Sequence, residues 1–351
     1  MTLSNVFIGK KVVQQIYMNN ALIYQAKGWE TLPSTAQEVW TKSYNNFSYF
    51  NYCTIDLNNY IYIVSQDLLS KFDTDGTLLW SKTYLGAVKI CIDSDNTVYL
   101  ASLKRPANES SLAVIIDKID EKGNSTQTAK VNGNSAIDSI TNFTIDKDCL
   151  YVTTLFQSGS TTYPRLFIID KKLNLTTVIT INSNIGTLIA DKKQYLYYAT
   201  GNKLCRIEKN NLASIETLLT ASNGIESLSF DKLGNVVYSS GPDLFKYNID
   251  SKSVSTVNGT TNSYCKQFCI DFQQNLYSIN GDIRTNYKIN LVKVSSDNTV
   301  IYDINIGEEL ARNILSGRLL VDTNGNIYYL YINNSNQLVI KKFINLVKKG
   351  S

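Results

Sequence analysis

The sequence predicts an all-β protein: a seven-bladed β-propeller of four-stranded blades, its ring closed by an N-terminal strand, with a small β module ahead of it. Three observations carry this. A unit of apolar strand, aspartate-led turn and tyrosine-bearing strand occurs seven times; the last copy lacks a fourth strand; and an orphan strand of fitting type precedes the first copy.

The marker aspartates are Asp56, Asp93, Asp146, Asp191, Asp231, Asp271 and Asp322. Each is followed by a strand tyrosine: Tyr62, Tyr99, Tyr151, Tyr197, Tyr238, Tyr277 and Tyr328. The offset is six residues in five copies, five in one and seven in another. Successive aspartates stand 37, 53, 45, 40, 40 and 51 residues apart, around the ~40–50 of a propeller blade. Apolar and β-branched runs flanking Asp, Asn and Gly are strand–turn–strand chemistry. Two more strands follow in each full copy, and no helical periodicity interrupts them, which is the pattern of a blade.

In chain order, residues 1–37 form a separate module of two or three short strands with Asn19-Asn20 as a hairpin turn, since Asn tolerates positive φ. Its apolar set, Val6, Ile8, Ile16, Tyr17, Leu22 and Tyr24, is the expected attachment surface. So few residues make no stable sheet alone, so the module must dock on something. Gly28 and Pro33 lead out of it into the propeller, residues 38–351. The orphan strand 39–44, with Val39, Trp40 and Tyr44, has a twin at 79–84 containing Trp80 and Tyr84. The twin is the fourth strand of the first repeat. Strand 39–44 is therefore the fourth strand the last copy lacks, and closing the ring with it shields edges that an open array exposes.

Blade topology assigns the loops to faces. Turns joining first to second and third to fourth strands are short and lie on one face. Connections from second to third strand, and between blades, lie on the other. The long insertions fall there: residues 104–111, 157–164 and 280–287 within blades, 132–141 and 307–317 between them. One face is plain and the other elaborated, and long loops on a fixed scaffold are where binding concentrates.

Composition removes several function classes. The chain of 351 residues has no histidine, which excludes Ser-His and Cys-His nucleophile pairs and His-ligated metals. Six cysteines form no CxxC pair, and Cys91 and Cys269, each two places before a marker aspartate, read as buried strand fillers. A net charge of +4 gives no reason to invoke nucleic acid. No apolar run approaches a membrane span, and residues 1–11 do not read as a signal peptide, so synthesis in the cytoplasm is expected.

Asp-rich turns such as 73–76, 93–96 and 322–326 resemble the start of a calcium loop, but the twelfth positions are Tyr84, Lys104 and Asn333 where an EF-hand needs Glu. Turn capping accounts for them better. No phosphate-binding glycine loop is present, no metal or cofactor is expected, and no carboxylate pair stands out from the turns. The chain is expected not to be an enzyme. Candidate binding residues in the insertions are Arg105, Tyr163, Arg165, Asp282, Arg284 and Tyr287, because Tyr and Arg anchor interfaces and stack on sugars.

The repeats 73–80 and 92–99 resemble quinoprotein-type and NHL-like propeller repeats. The stretch Val6-Phe7-Ile8-Gly9-Lys10-Lys11 through Ile16-Tyr17-Met18-Asn19-Asn20-Ala21-Leu22-Ile23-Tyr24 is similar to a short module in structural proteins of tailed phages and phage-tail-like particles of low-GC Gram-positive bacteria. Asn19 and Asn20 replace its usual Gly-containing turn. That resemblance implies a virion or tail-particle component in multi-copy assembly, attached through residues 1–37 to other tail, neck or baseplate proteins. Its propeller would contact another virion protein or the host surface. The alternatives are a glycan-binding propeller for cell-wall polysaccharide and, third, a polysaccharide hydrolase or lyase.

Overall fold

The computed structural model describes residues 6–8, 11–13, 15–18, 21–25, 35–45, 47, 51–65, 67–106, 112–131, 137–158, 161–181, 184–231, 233–257, 268–281, 288–308 and 317–346. Among them there are strands and turns and no helix. Two hairpins open the chain, giving four short strands where two or three were expected. Strand β1 (Val6–Ile8) pairs with β2 (Lys11–Val13), and β3 (Gln15–Met18) with β4 (Ala21–Gln25). Met18 stands opposite Ala21; the expected turn at Asn19 and Asn20 lies outside the described residues. Strand β5 (Thr35–Tyr44) follows.

The blades then succeed one another as antiparallel four-stranded sheets. Blade 1 is β6 (Tyr52–Ile55), β7 (Ile61–Ser65), β8 (Leu68–Phe72) and β9 (Leu78–Thr83). Blade 2 is β10 (Ala87–Ile92), β11 (Val98–Lys104), β12 (Ala113–Ile119) and β13 (Ser125–Val131). Blade 3 is β14 (Ile137–Ile145), β15 (Cys149–Ser158), β16 (Thr161–Asp170) and β17 (Leu175–Thr180). Blade 4 is β18 (Thr187–Ala190), β19 (Tyr195–Thr200), β20 (Lys203–Glu208) and β21 (Asn211–Thr220). Blade 5 is β22 (Ile225–Phe230), β23 (Val236–Ser240), β24 (Asp243–Asn248) and β25 (Ser253–Thr256). Blade 6 is β26 (Phe268–Ile270), β27 (Leu276–Gly281), β28 (Lys288–Val294) and β29 (Val300–Glu308). Blade 7 is β30 (Arg318–Val321), β31 (Ile327–Ile332), β32 (Leu338–Leu346) and β5.

The first strands β6, β10, β14, β18, β22, β26 and β30 touch in that order, and β30 returns to β6. The ring is closed, with the first strand of each blade innermost. Seven apolar clusters fill it, one at each interface between consecutive blades. Between blades 2 and 3, for instance, Tyr99 and Val114 meet Phe143 and Phe167. Strand β7, covered on both sides by neighbouring blades, is buried at every position, whereas the outer strand β25 is exposed at every position.

Closure runs through β5 against β32, from Leu338 opposite Tyr44 to Leu346 opposite Thr35, a longer strand than the expected 39–44. Val39, expected to help close the ring, does not pair. It is the extra residue of a bulge between the Lys342–Trp40 and Phe343–Glu38 pairs, and its side chain faces solvent. Trp40 and Tyr44 do the latching. The Tyr44 hydroxyl donates to the Gly76 carbonyl in blade 1. Gly76 has φ +73°, and a Cβ there would lie 2.7 Å from Trp40 Cη2. The twin repeats the tyrosine bond one blade on, Tyr84 Oη donating to Gly123 O at 2.9 Å, and Trp80 Nε1 adds a bond to Glu121 O at 2.9 Å that the buried Trp40 Nε1, which latches by packing, does not make. Each Trp–Tyr pair thus fastens an outer strand to the third turn of the next blade.

Two expected insertions are shorter than the sequence suggested. Residues 137–141 belong to β14, and residues 157–164 mostly belong to β15 and β16. Pro164 sits inside β16 opposite Leu155. Its carbonyl accepts from Ile181 N at 2.9 Å, so its missing N–H points toward Ile181 and the ladder with β15 loses nothing.

Candidate functional site

The β15–β16 hairpin organises two of the candidate binding residues, Tyr163 and Arg165. Beyond Arg165, opposite Thr180, strand β16 has no further partner in β17 but stays paired to β15 as far as Ser158–Thr161. Phe156 stands opposite Tyr163 and Thr154 opposite Arg165, so all four share one face. The Phe156 and Tyr163 rings stack with centroids 6.4 Å apart, and Arg165 Cζ lies 4.3 Å over the Phe156 ring. Tyr163 is 41 % exposed. An Arg–Phe–Tyr stack therefore lies on a hairpin with its outer ring open to solvent, a surface suited to planar or saccharide groups. Phe156 was missed in the sequence, although its place nine residues before Arg165 in a strand–reversal–strand pattern could have indicated it.

Arg105 stands exposed just past β11 on the neighbouring blade, with no hydrogen bond or ion pair among the described residues. Asp282, Arg284 and Tyr287 lie outside the described residues. Their flanking strands, β27 and β28, belong to blade 6, across the ring from the hairpin. The attachment residues Val6, Ile8, Ile16, Tyr17, Leu22 and Tyr24 all fall on strands of the two hairpins.

On the plain face the marker aspartates cap turns. Asp322 Oδ1 accepts from Asn324 N and Asn326 N at 2.9 and 2.8 Å. Its Oδ2 accepts from Tyr328 Oη at 3.1 Å. The same phenol-to-carboxylate bond joins Tyr62 to Asp56, Tyr151 to Asp146 and Tyr277 to Asp271. In five blades the repeat tyrosine has a cation opposite it on the third strand: Lys71, Lys118, Arg206, Lys293 or Lys342. Two aspartates are bridged from the following blade, Asp93 by Lys171 at 3.3 Å and Asp146 by Lys209. The carboxylates are thereby committed to backbone, phenol and ammonium donors. Among the described residues no group of three His, Cys, Asp or Glu is arranged to hold a metal.

A cleft of about 240 Å³ opens between blades 5 and 6, a site the sequence did not indicate. Its floor is Val237, Val257, Ile270, Leu276 and Val294. At its rim Lys246 Nζ pairs with Asp231 Oδ2 at 3.1 Å. Each other blade interface buries a Tyr or Phe, whereas the buried residues here are Val and Leu, with Phe268 only partly buried against them. Cys91 is buried and Cys269 partly so, and burial pushes both thiols well above the ordinary range. Cys265 lies outside the described residues.

No family model matches the chain, and no curated protein matches it in sequence. Solved structures do. Virginiamycin B lyase from Staphylococcus aureus superposes with a TM-score of 0.62 at 14% identity, over 89% of this chain and 100% of that one. A catalytically inactive histidine-to-alanine form of that lyase, with quinupristin, gives 0.59 at 14% identity over 88% and 99%. A chain of the mitotic checkpoint complex gives 0.61 at 11% identity over 95% and 99%. At such identities the likeness is one of fold, the seven-bladed ring. It corrects the expectation that the chain is not an enzyme: a ring of this kind carries a lyase in S. aureus, so neither the repeat nor its capped turns argue against catalysis. The histidine substituted in the inactive lyase has no counterpart in a chain without histidine.

Proposed function

We propose that this chain is a component of a tailed-phage or phage-tail-like particle, joined to other tail proteins through its N-terminal hairpins. Its propeller then presents the elaborated face to a partner on the host surface or on the particle. The observation that carries the display half is the exposed Arg165–Phe156–Tyr163 stack on the extended β15–β16 hairpin. The attachment half rests on the likeness of residues 6–24 to the tail module. Many copies on one particle would multiply weak individual contacts.

A second reading, recognition of cell-wall polysaccharide, is favoured by the stack itself, since an open ring beside a guanidinium suits a sugar face and its hydroxyls. Any catalysis at this face would have to use side chains other than histidine. Pull-down on intact cells, purified wall polysaccharide and isolated tail proteins separates these readings. Tyr163→Ala and Arg165→Ala are each expected to weaken retention about tenfold or more, because interface anchors of this type contribute roughly 2 kcal/mol. Retention by wall polysaccharide alone selects the glycan reading. Equal retention of wild type and both variants on every material would remove the hairpin from the account.

A further inference from the structure

The cleft between blades 5 and 6 lies where the repeat slips by one residue. In the other six blades the repeat tyrosine packs into the interface with the following blade. In blade 5 it stands seven residues after the marker aspartate instead of five or six. The turn there has the ordinary length, Asp231 N donating to Asn235 O as Asp271 N does to Asn275 O. The extra residue therefore falls in the strand, where a shift of one reverses the face. Tyr238 joins Tyr197 and Leu228 in the interface with blade 4, and Val237 takes the place on the blade 6 side. The register agrees: Val237 stands opposite Lys246, as Tyr277 does opposite Lys293 and Tyr328 opposite Lys342.

The groups that serve a phenol in the other blades are kept. Asp271 Oδ2 accepts from Asn275 Nδ2 and from Tyr277 Oη, both at 2.8 Å. Asp322 Oδ2 accepts from Asn326 Nδ2 at 2.8 Å and from Tyr328 Oη at 3.1 Å. Asp231 Oδ2 likewise accepts from Asn235 Nδ2 at 2.8 Å, but its second donor is Lys246 Nζ at 3.1 Å. The corresponding lysines lie over rings instead, Lys293 at 5.1 Å from the Tyr277 centroid and Lys342 at 5.5 Å from that of Tyr328. Blade 5 thus offers an acceptor, a cation and an apolar floor without the ring they surround elsewhere. The cleft, about 240 Å³, exceeds the ~150 Å³ that suffices for benzene in an apolar cavity. Because its floor is apolar and its carboxylate stands at the rim, a ring enters first and keeps its hydroxyl outward. A tyrosine side chain of a partner would have to enter hydroxyl first, so the cleft suits a free phenol.

We propose that this cleft binds a small phenol, its ring on the Val237–Leu276 floor and its hydroxyl donating to Asp231 Oδ2, with Lys246 moved over the ring. The site uses none of the hairpin residues and does not depend on the tail-particle reading. Titration of the full chain with phenol, benzene and N-acetyltyrosinamide, followed by the NMR signals of its valine and leucine methyls, tests it. Saturable binding of phenol is expected, with benzene about tenfold weaker because it cannot donate to the carboxylate, and N-acetyltyrosinamide weaker still. Val237→Tyr restores the ring within the chain, so it should raise the thermal midpoint and abolish phenol binding. The comparison of phenol with benzene is made on the wild type and stands even where that variant folds poorly. No saturable phenol binding, equal binding of benzene, or undiminished phenol binding by folded Val237→Tyr overturns the proposal. Tighter binding of N-acetyltyrosinamide than of phenol also overturns it, since the hydroxyl would then lead.

Discussion

At the scale of single residues, the repeat is an electrostatic unit more than an apolar one. Each marker aspartate caps its turn, and in four blades the tyrosine phenol five or six residues on donates back to it, at 2.8 Å for both Tyr277–Asp271 and Tyr151–Asp146. Burial first, and then the neighbouring carboxylate, raises the Tyr277 phenol far above its ordinary value. Tyr277→Phe should cost about 1 kcal/mol, the usual net contribution of one hydrogen bond, because Asp271 keeps Asn275 as donor. Asp271→Ala should cost more, about 2–3 kcal/mol, since it leaves buried donors without an acceptor. Urea unfolding of both variants measures this, and equal losses would mean that the carboxylate does no more than pair with the phenol. This unit was legible in the sequence because turn capping is local: the Asp-to-Tyr offset alone put both residues at one strand end.

At the scale of elements, closure depends on how one strand meets a neighbouring blade's turn. Gly76→Ala should destabilise by about 2 kcal/mol, because φ +73° strains any Cβ and Trp40 blocks the space. Gly234→Ala, equally positive in φ but with nothing within 4 Å, should cost less; equal midpoints on thermal unfolding would deny Trp40 its latching role. Closure could be read because Trp40 and Tyr44 repeat Trp80 and Tyr84. The bulge at Val39 could not, since it arises from register against β32. The extended hairpin was hidden because Pro164 reads as a strand breaker until the direction of its missing N–H is known. The cleft between blades 5 and 6 was hidden because it depends on how small Val and Leu side chains from two blades meet, with Phe268 only partly buried against them.

At the scale of the molecule, the ring brings together strands from opposite ends of the chain, β5 with β32, and its pH response follows from what it buries. With no histidine, stability should be nearly flat from about pH 5.5 to 7.5. Lys89 and Lys293 titrate near 8 in the folded chain against an ordinary 10.5, chiefly through desolvation. Between those values the unfolded chain holds protons the folded one has shed, so stability should rise with pH from about 8. Tyr44, Tyr99 and Tyr238 are pushed up to about 12 from 10.0, chiefly by burial. Above pH 10 the unfolded chain has shed protons the folded one keeps, so stability should fall there, with tyrosinate absorbance appearing together with unfolding. Tyrosinate appearing well before any loss of structure would contradict the burial of these phenols.

The central claim is that a self-contained propeller is carried on a particle by a separate N-terminal module. Because β5 begins at Thr35, the cut that spares the ring removes residues 1–34. Particles from cells producing that truncated chain, compared with full-length chain at equal expression, test the claim by quantifying the protein in purified particles. A folded propeller that is missing from the particles is expected; incorporation at the full-length level would contradict the account.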